Sequence, residues 1–173
     1  MFEEFVCEAR RLRDKYADRI TLLIGMETEV IHEDSLAEIQ TIRDRYHIEY
    51  LVGSVHHVGG VPLDFSKDLF ELAERTAGGF HNLALQYFDI QYDLLQHARP
   101  DVIGHFDLVF MFRPEASIPA DVMTKIERNI NFAVSYGALF EINSRAYKKN
   151  LPEAHPRSEI LKVSRDALYL ETC

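Results

Sequence analysis

ITLLIGMETE (Ile20–Glu29) is an apolar run that ends in two carboxylates, and the fold prediction starts from it. Within it, we predict a strand over Ile20–Glu27, because its length and composition are typical of a strand buried on both faces. Three further runs of this kind follow along the chain, and each predicts a strand: EYLVGSV (Glu49–Val55), DVIGHF (Asp101–Phe106) and ALFEIN (Ala138–Asn143).

Helical patterns separate these runs. Apolar residues recur at helical spacing in Phe2–Ala17 and in Asp34–Tyr46. After a predicted loop come a long helical region with a break at Gly78–Gly79, a helix opened by Pro119, and a last helix from Pro156. Strands that alternate with helices indicate βα units around a parallel sheet, so we predict an α/β fold.

The composition is that of an ordinary globular domain. The chain has 173 residues, of which 47% are hydrophobic and 27% charged, enough for one domain with its own core. The formal net charge of -9 argues against a nucleic-acid-binding surface, which needs clustered Lys and Arg. Two cysteines without CxxC spacing, no visible signal peptide and no long apolar run predict a cytoplasmic protein without a membrane span.

Polar residues stand at the predicted carboxyl end of each strand: Glu27, His56, His105 and Asn143. In a barrel of parallel strands these ends meet on one face, where active sites are built. A carboxylate with imidazoles is the ligand set that zinc, manganese or iron prefers. A lone histidine at a strand end is more often structural, but matched positions on successive strands favour a metal site.

Neighbouring polar residues leave alternatives open. Glu29 is either close to the metal ligands or a solvated edge residue. Asp107 is placed to orient an imidazole or a ligand, two residues after His105. We predict that His57 points away from His56 and is structural. No partner pattern accompanies the remaining histidines, and we assign them no role: His32, His47, His81, His97 and His155.

The series of motifs resembles the PHP (polymerase and histidinol phosphatase) superfamily, and most of all its monofunctional histidinol-phosphatase branch. The motifs are GMETE (Gly25–Glu29), GSVHH (Gly53–His57), GHFDL (Gly104–Leu108) and EIN (Glu141–Asn143). The resemblance implies a distorted (β/α)7 TIM-like barrel that holds up to three divalent transition metal ions. It also implies that Glu27 contacts two metals.

The same resemblance assigns the other site residues. His56 and His105 would complete the ligands of one metal. Apart from the resemblance, we expect Asp107 to be a catalytic residue together with Glu27. For substrate binding the resemblance points to a basic residue shortly after EIN, which is Lys148 here in place of arginine. The other expected substrate contacts are Arg145, Asn143 and Glu29.

Two family motifs, an HxH before the first of these strands and a D-x-H after Ser158, are not found in the sequence. We therefore expect residues 1–173 to form a single partial PHP domain, a barrel incomplete at both ends. It should hold one metal ion at most. Its open sheet edges predict self-association.

Two functional hypotheses follow. The first is a metal-dependent phosphomonoester hydrolase that converts L-histidinol phosphate to L-histidinol and phosphate in histidine biosynthesis, with slow or no turnover by this chain alone. The second is a non-catalytic PHP-like module that binds a metal or another protein. A third option, the nuclease-type PHP module of polymerases, fits a small acidic chain less well.

Overall fold

The computed structural model describes residues 2–32 and 34–170, with side chains as far as Ser164. The helices of this part of the chain are α1 (Phe2–Lys15), α2 (Ser35–Tyr46), α3 (Lys67–Ala77), α4 (Phe80–Ala98), α5 (Ala120–Ser135), α6 (Arg145–Lys148) and α7 (Ser158–Leu170). The strands are β1 (Gly25–Glu29), β2 (Tyr50–Ser54), β3 (His57–Val58), β4 (Val61–Pro62), β5 (Val102–Ile103) and β6 (Leu139–Phe140). A short 3-10 helix covers Leu108–Phe110.

Four of the strands form one parallel sheet in the order β1-β2-β5-β6. Because they are parallel, their carboxyl ends lie at one edge of the sheet. The α/β class with a parallel sheet is confirmed. Within the described residues the sheet stays open, since β1 pairs only with β2, and β6 only with β5.

The core lies between the sheet and helices α4 and α5. Its largest fully buried side chains are aromatic: Tyr87, Phe70, Phe88, Phe106 and Phe110. Because α4 contributes buried residues along most of its length, it forms the central support beneath the sheet. No helix in the described part of the chain is long and apolar enough to cross a membrane.

The predicted break at Gly78–Gly79 is confirmed. Ser66 caps the start of α3 by accepting a hydrogen bond from the Leu69 backbone N–H at 3.3 Å. Gly78 ends α3 with φ 82°, and Gly79 precedes α4 with φ 114°. Residues with a Cβ adopt such positive φ values only with strain, so glycine suits both positions.

The strands are shorter than the sequence suggested. β1 begins at Gly25. Of the preceding residues, Ile20 and Leu23 are more than half exposed while Ile24 is buried, so the run 20–24 is not buried on both faces. β5 ends at Ile103 because the chain turns at His105, where φ is 23°. The segment predicted as a loop contains the antiparallel hairpin β3–β4.

Candidate metal centre

Three side chains converge at the carboxyl edge of the sheet. Glu27 lies on β1, while His56 and His105 each lie two residues beyond β2 and β5. His56 Nε2 lies 3.1 Å from His105 Nε2, and Glu27 Oε1 lies 3.2 Å from His105 Nε2 and 3.9 Å from His56 Nε2. Among the residues that the structure describes, this is the one group of three such side chains with a metal-like spacing.

The spacing of the three atoms fits a single transition metal ion. A triangle with these sides has a point about 2.0 Å from every corner, which is the usual length of a zinc–nitrogen or zinc–oxygen bond. Two nitrogens and one oxygen are also the donor set that zinc, manganese and iron accept. The residues present therefore fit such an ion, with room for further ligands on the open side.

Ser54 holds the Glu27 carboxylate in place. Its hydroxyl donates a 2.8 Å hydrogen bond to Oε1. Burial raises the pKa of Glu27, but the Ser54 hydrogen bond and the nearby imidazoles, His105 first, outweigh it and leave the pKa below its ordinary value. Gly104 allows this contact, because a Cβ there would lie 2.6 Å from Ser54 Oγ. Glu27 is therefore kept ionised, as a metal ligand must be.

His105 is held by its backbone. Its N–H donates to Glu141 Oε2 at 2.9 Å, which stabilises the positive φ of the residue. The next carbonyl, that of Phe106, accepts hydrogen bonds from Tyr87 Oη at 3.2 Å and Gln91 Nε2 at 2.9 Å. These contacts tie the turn to helix α4, so the imidazole direction is set by a rigid support.

The environment of His105 favours its neutral form. Burial lowers the pKa of the imidazole, the neighbouring His56 lowers it further, and the opposing effects of Glu27 and Glu141 are smaller. Its Nδ1 is buried and has no hydrogen-bond partner among the described residues. A neutral imidazole is the form that binds a metal, so the lowered pKa is compatible with coordination.

Glu29 lies behind the triad. Its Oε2 lies 3.1 Å from Nδ1 of His56 and 3.1 Å from Nδ1 of His57. The sequence suggested a substrate contact for Glu29 and a separate direction for His57. In the structure Glu29 is absent from the residues that line the central cavity, and His57 shares its carboxylate with His56.

A cavity of about 430 Å³ opens over the triad. Arg145 and Lys149 line it together with Asn143, so the cavity has cationic side chains in its wall beside the carboxylate and imidazoles. Lys148 lines a neighbouring hollow with Arg145, Asn143 and Glu141. Arg145 and Asn143 thus line both the cavity and the neighbouring hollow. Of the two adjacent lysines, Lys149 lines the cavity and Lys148 lines the hollow.

Asp107 is buried, with 1% of its surface exposed. Its Oδ1 accepts a 2.6 Å hydrogen bond from His155 Nδ1, and its Oδ2 accepts one from the Arg157 backbone N–H at 2.9 Å. His155 also lines the cavity, whereas Asp107 does not. Asp107 therefore contacts the lining of the cavity through the imidazole of His155.

Several residues of the site were missed in the sequence. Ser54 and Glu141 lie within the GSVHH and EIN motifs, and their position close to a predicted ligand is the sequence signal for them. Lys149 is adjacent to a lysine that was chosen from the family pattern. His155 had no local signal, because its partner is 48 residues away.

Comparison with known proteins supports the family resemblance. The family model of the PHP domain matches residues 1–145 of this chain. A probable histidinol-phosphatase of Schizosaccharomyces pombe is 44% identical over 168 residues, and the histidinol-phosphatase of Saccharomyces cerevisiae is 30% identical over 193 residues. These alignments cover 94% of this chain but 55% and 58% of the two relatives, so the chain spans little more than half of their length.

The fold has a counterpart among solved structures. A histidinol phosphate phosphatase of Lactococcus lactis, crystallised with zinc, L-histidinol and phosphate, superposes with a TM-score of 0.73. The superposition covers 96% of this chain and 62% of that protein, at 20% sequence identity. At this identity the likeness establishes the fold, and it confirms the predicted TIM-like architecture of the PHP type.

Proposed function

The chain belongs to the PHP domain family, and on that premise we propose that it carries part of the metal centre of a histidinol-phosphatase. The reaction would be hydrolysis of L-histidinol phosphate to L-histidinol and phosphate. The observation that carries the proposal is the triad of Glu27, His56 and His105 at the floor of a cavity that also contains cationic side chains. The names of the relatives point to the same substrate.

We assign the metal to Glu27 Oε1, His56 Nε2 and His105 Nε2. A divalent transition metal, zinc, manganese or iron, would supply Lewis acidity and a bound water of lowered pKa. Ser54 keeps Glu27 oriented, and Glu141 keeps the His105 turn in place. Because the described residues offer one such ligand set, we expect one tightly held ion.

We assign the phosphate to the cationic side of the cavity. Arg145 and Lys149 line the same space as the triad, so their charges would balance the phosphate dianion. Lys148, in the adjoining hollow, would act from further away. Asn143 offers an amide that already contacts the Arg145 backbone N–H through Oδ1 at 2.9 Å, and its side chain would border the substrate.

We assign Asp107 a role through His155. The 2.6 Å hydrogen bond fixes Nδ1 of the imidazole towards Asp107, so the opposite nitrogen, Nε2, is the one left for the cavity and the substrate. Residues 1–173 would act as one domain, since a continuous hydrophobic cluster joins residues from α1 to α7.

Phosphate release from L-histidinol phosphate tests the proposal. The 173-residue chain is assayed with added zinc or manganese, beside Glu27→Gln and a chelator-treated sample. We expect slow, metal-dependent release that Glu27→Gln abolishes, and metal-dependent binding of the substrate by calorimetry. A chain that binds metal but neither binds nor hydrolyses this ester would favour the non-catalytic alternative.

A further inference from the structure

Glu29 joins two consecutive histidines to the end of β1. One carboxylate oxygen, Oε2, lies 3.1 Å from Nδ1 of His56 and 3.1 Å from Nδ1 of His57. The three side chains are partly buried, with exposures of 34% for Glu29, 22% for His56 and 20% for His57. Because these side chains are partly buried, the hydrogen bonds to Glu29 can fix the orientation of the two imidazoles, unlike an exposed surface pair.

The hydrogen-bonding capacity of the groups decides which nitrogen of His56 carries the proton. An ionised carboxylate can only accept, so His56 Nδ1 must donate to Glu29. In the neutral imidazole this leaves Nε2 unprotonated. That nitrogen is the one that lies 3.1 Å from His105 Nε2 and faces Glu27.

We propose that Glu29 is a positioning residue of the metal centre, which holds His56 in the Nδ1–H tautomer and aims its Nε2 at the metal. The inference rests on the proposed metal site. A carboxylate behind a metal-bound imidazole fixes the ring and raises its basicity, and loss of such a partner typically weakens metal binding ~10–100-fold. His57 is the second donor on the same oxygen and keeps Glu29 turned towards His56.

Zinc affinity measured by competition with a fluorescent chelator tests the role of Glu29. We expect Glu29→Leu, which removes both hydrogen bonds, to weaken zinc binding ~10–100-fold. Glu29→Gln keeps an accepting oxygen without the charge and should give a smaller loss. The matched control is Glu38→Leu, because Glu38 also faces a histidine, His32 at 3.8 Å, but neither belongs to the triad. We expect no change there.

A spectroscopic measurement separates positioning from general damage to the fold. Nitrogen-15 NMR of the metal-free protein should show His56 protonated at Nδ1, with the signal assigned through His56→Gln. In Glu29→Gln, which leaves the shape of the side chain unchanged, the Nδ1–H population should fall. Thermal melting of each variant reports whether the domain remains folded.

The outcomes divide clearly. Zinc affinity within about 2-fold of wild type in a folded Glu29→Leu protein, or a His56 ring protonated mainly at Nε2, would overturn the inference, since ~10-fold is the least expected. A wild-type chain that binds no zinc would overturn it together with the metal site. A chain whose zinc affinity depends on Glu29, but which releases no phosphate from L-histidinol phosphate, would keep the inference and refute the proposed activity.

Discussion

Asp107 Oδ1 and His155 Nδ1 lie 2.6 Å apart. This hydrogen bond joins the GHFDL motif, which follows β5, to the segment that precedes α7. The carboxylate also accepts from the Arg157 backbone N–H and lies 3.7 Å from its Nε. Arg157 in turn stacks over the Phe110 ring at 4.2 Å. One buried carboxylate thus attaches a whole segment to the core.

Replacement of Asp107 by Leu should therefore lower the free energy of unfolding by about 3 kcal/mol, because it leaves buried donors without an acceptor. Urea denaturation of the metal-free protein measures the change. The control is Asp121→Leu, which breaks an exposed aspartate–histidine pair of 2.8 Å with His81 and should cost much less stability, because solvent screens the pair. Equal losses in the two variants would contradict the structural role of Asp107.

A second prediction concerns stability against pH. Because burial, assisted by His56, lowers the pKa of His105 below its ordinary 6.5, the unfolded chain takes up a proton below that pH while the folded chain does not. This contribution to stability is complete above pH 6.5 and is lost as the pH falls below it, with a slope of at most about 1.4 kcal/mol per pH unit.

Urea denaturation between pH 7.5 and 5.5, with a chelator present, measures that slope. We expect His105→Asn to lose less stability over this interval than the wild type. His97→Asn, at an exposed position of α4, is measured beside it as the control for removal of a histidine outside the triad. If wild type and His105→Asn have the same slope, the burial of His105 does not control its protonation.

The fold and the triad were accessible from the sequence for the same reason. An apolar run identifies a buried strand locally, and a polar residue placed directly after it must lie at the strand's end. Parallel strands then bring Glu27, His56 and His105 together without any knowledge of distant contacts. The break between α3 and α4 at Gly78–Gly79 was also predictable from the sequence, because few residues other than glycine adopt the positive φ values found there.

The rest depended on long-range contacts or on a pattern that was overlooked. The β3–β4 hairpin turns at Gly59–Gly60, both with positive φ, and Val-Gly-Gly-Val is a recognisable hairpin sequence. His155, in contrast, gains its role from Asp107 and from a bridge to Asn143, neither of which leaves a periodic pattern. The choice between Lys148 and Lys149 required the direction of two adjacent side chains, one at the end of α6 and one directly after it.

A third prediction concerns metal content. Purified without chelator, the chain should carry no more than about one transition metal ion, because a single set of three ligands is present in the described residues and such a set holds one ion. Elemental analysis gives the ratio. His105→Gln should lower it sharply, whereas His97→Gln, at an exposed helical position, should not. Two or three tightly held ions in the wild type would require further ligands.

A fourth prediction separates the two lysines. Lys149 lines the cavity above the triad and Lys148 lines the neighbouring hollow, so Lys149→Ala should weaken the binding of L-histidinol phosphate more than Lys148→Ala. For one contact between a cation and a phosphate we expect a loss of about 10-fold, or 1.4 kcal/mol. Calorimetry in the presence of zinc measures both variants. A larger effect of Lys148→Ala would restore the assignment made from the family pattern.

The last prediction concerns the outer edge of the sheet at β6. Among the described residues β6 pairs only with β5, so the backbone groups on its other side have no strand partner. Leu139 on this strand and Ile142 just beyond it are 67% and 66% exposed, which adds apolar surface to the open edge. Unpaired edges of this kind promote pairing between chains, and a charged side chain on the edge opposes it.

We therefore expect the chain to self-associate with increasing concentration, and we expect Leu139→Lys to shift the equilibrium towards monomer. Size-exclusion chromatography with light scattering over a concentration series measures the mass. The control is Leu72→Lys, which places the same charge on a 41% exposed leucine of α3, away from the sheet edge. A monomeric wild type at high concentration would show that this edge is not a site of association. An equal effect of Leu72→Lys would show that added charge, rather than protection of the β6 edge, dissociates the chains.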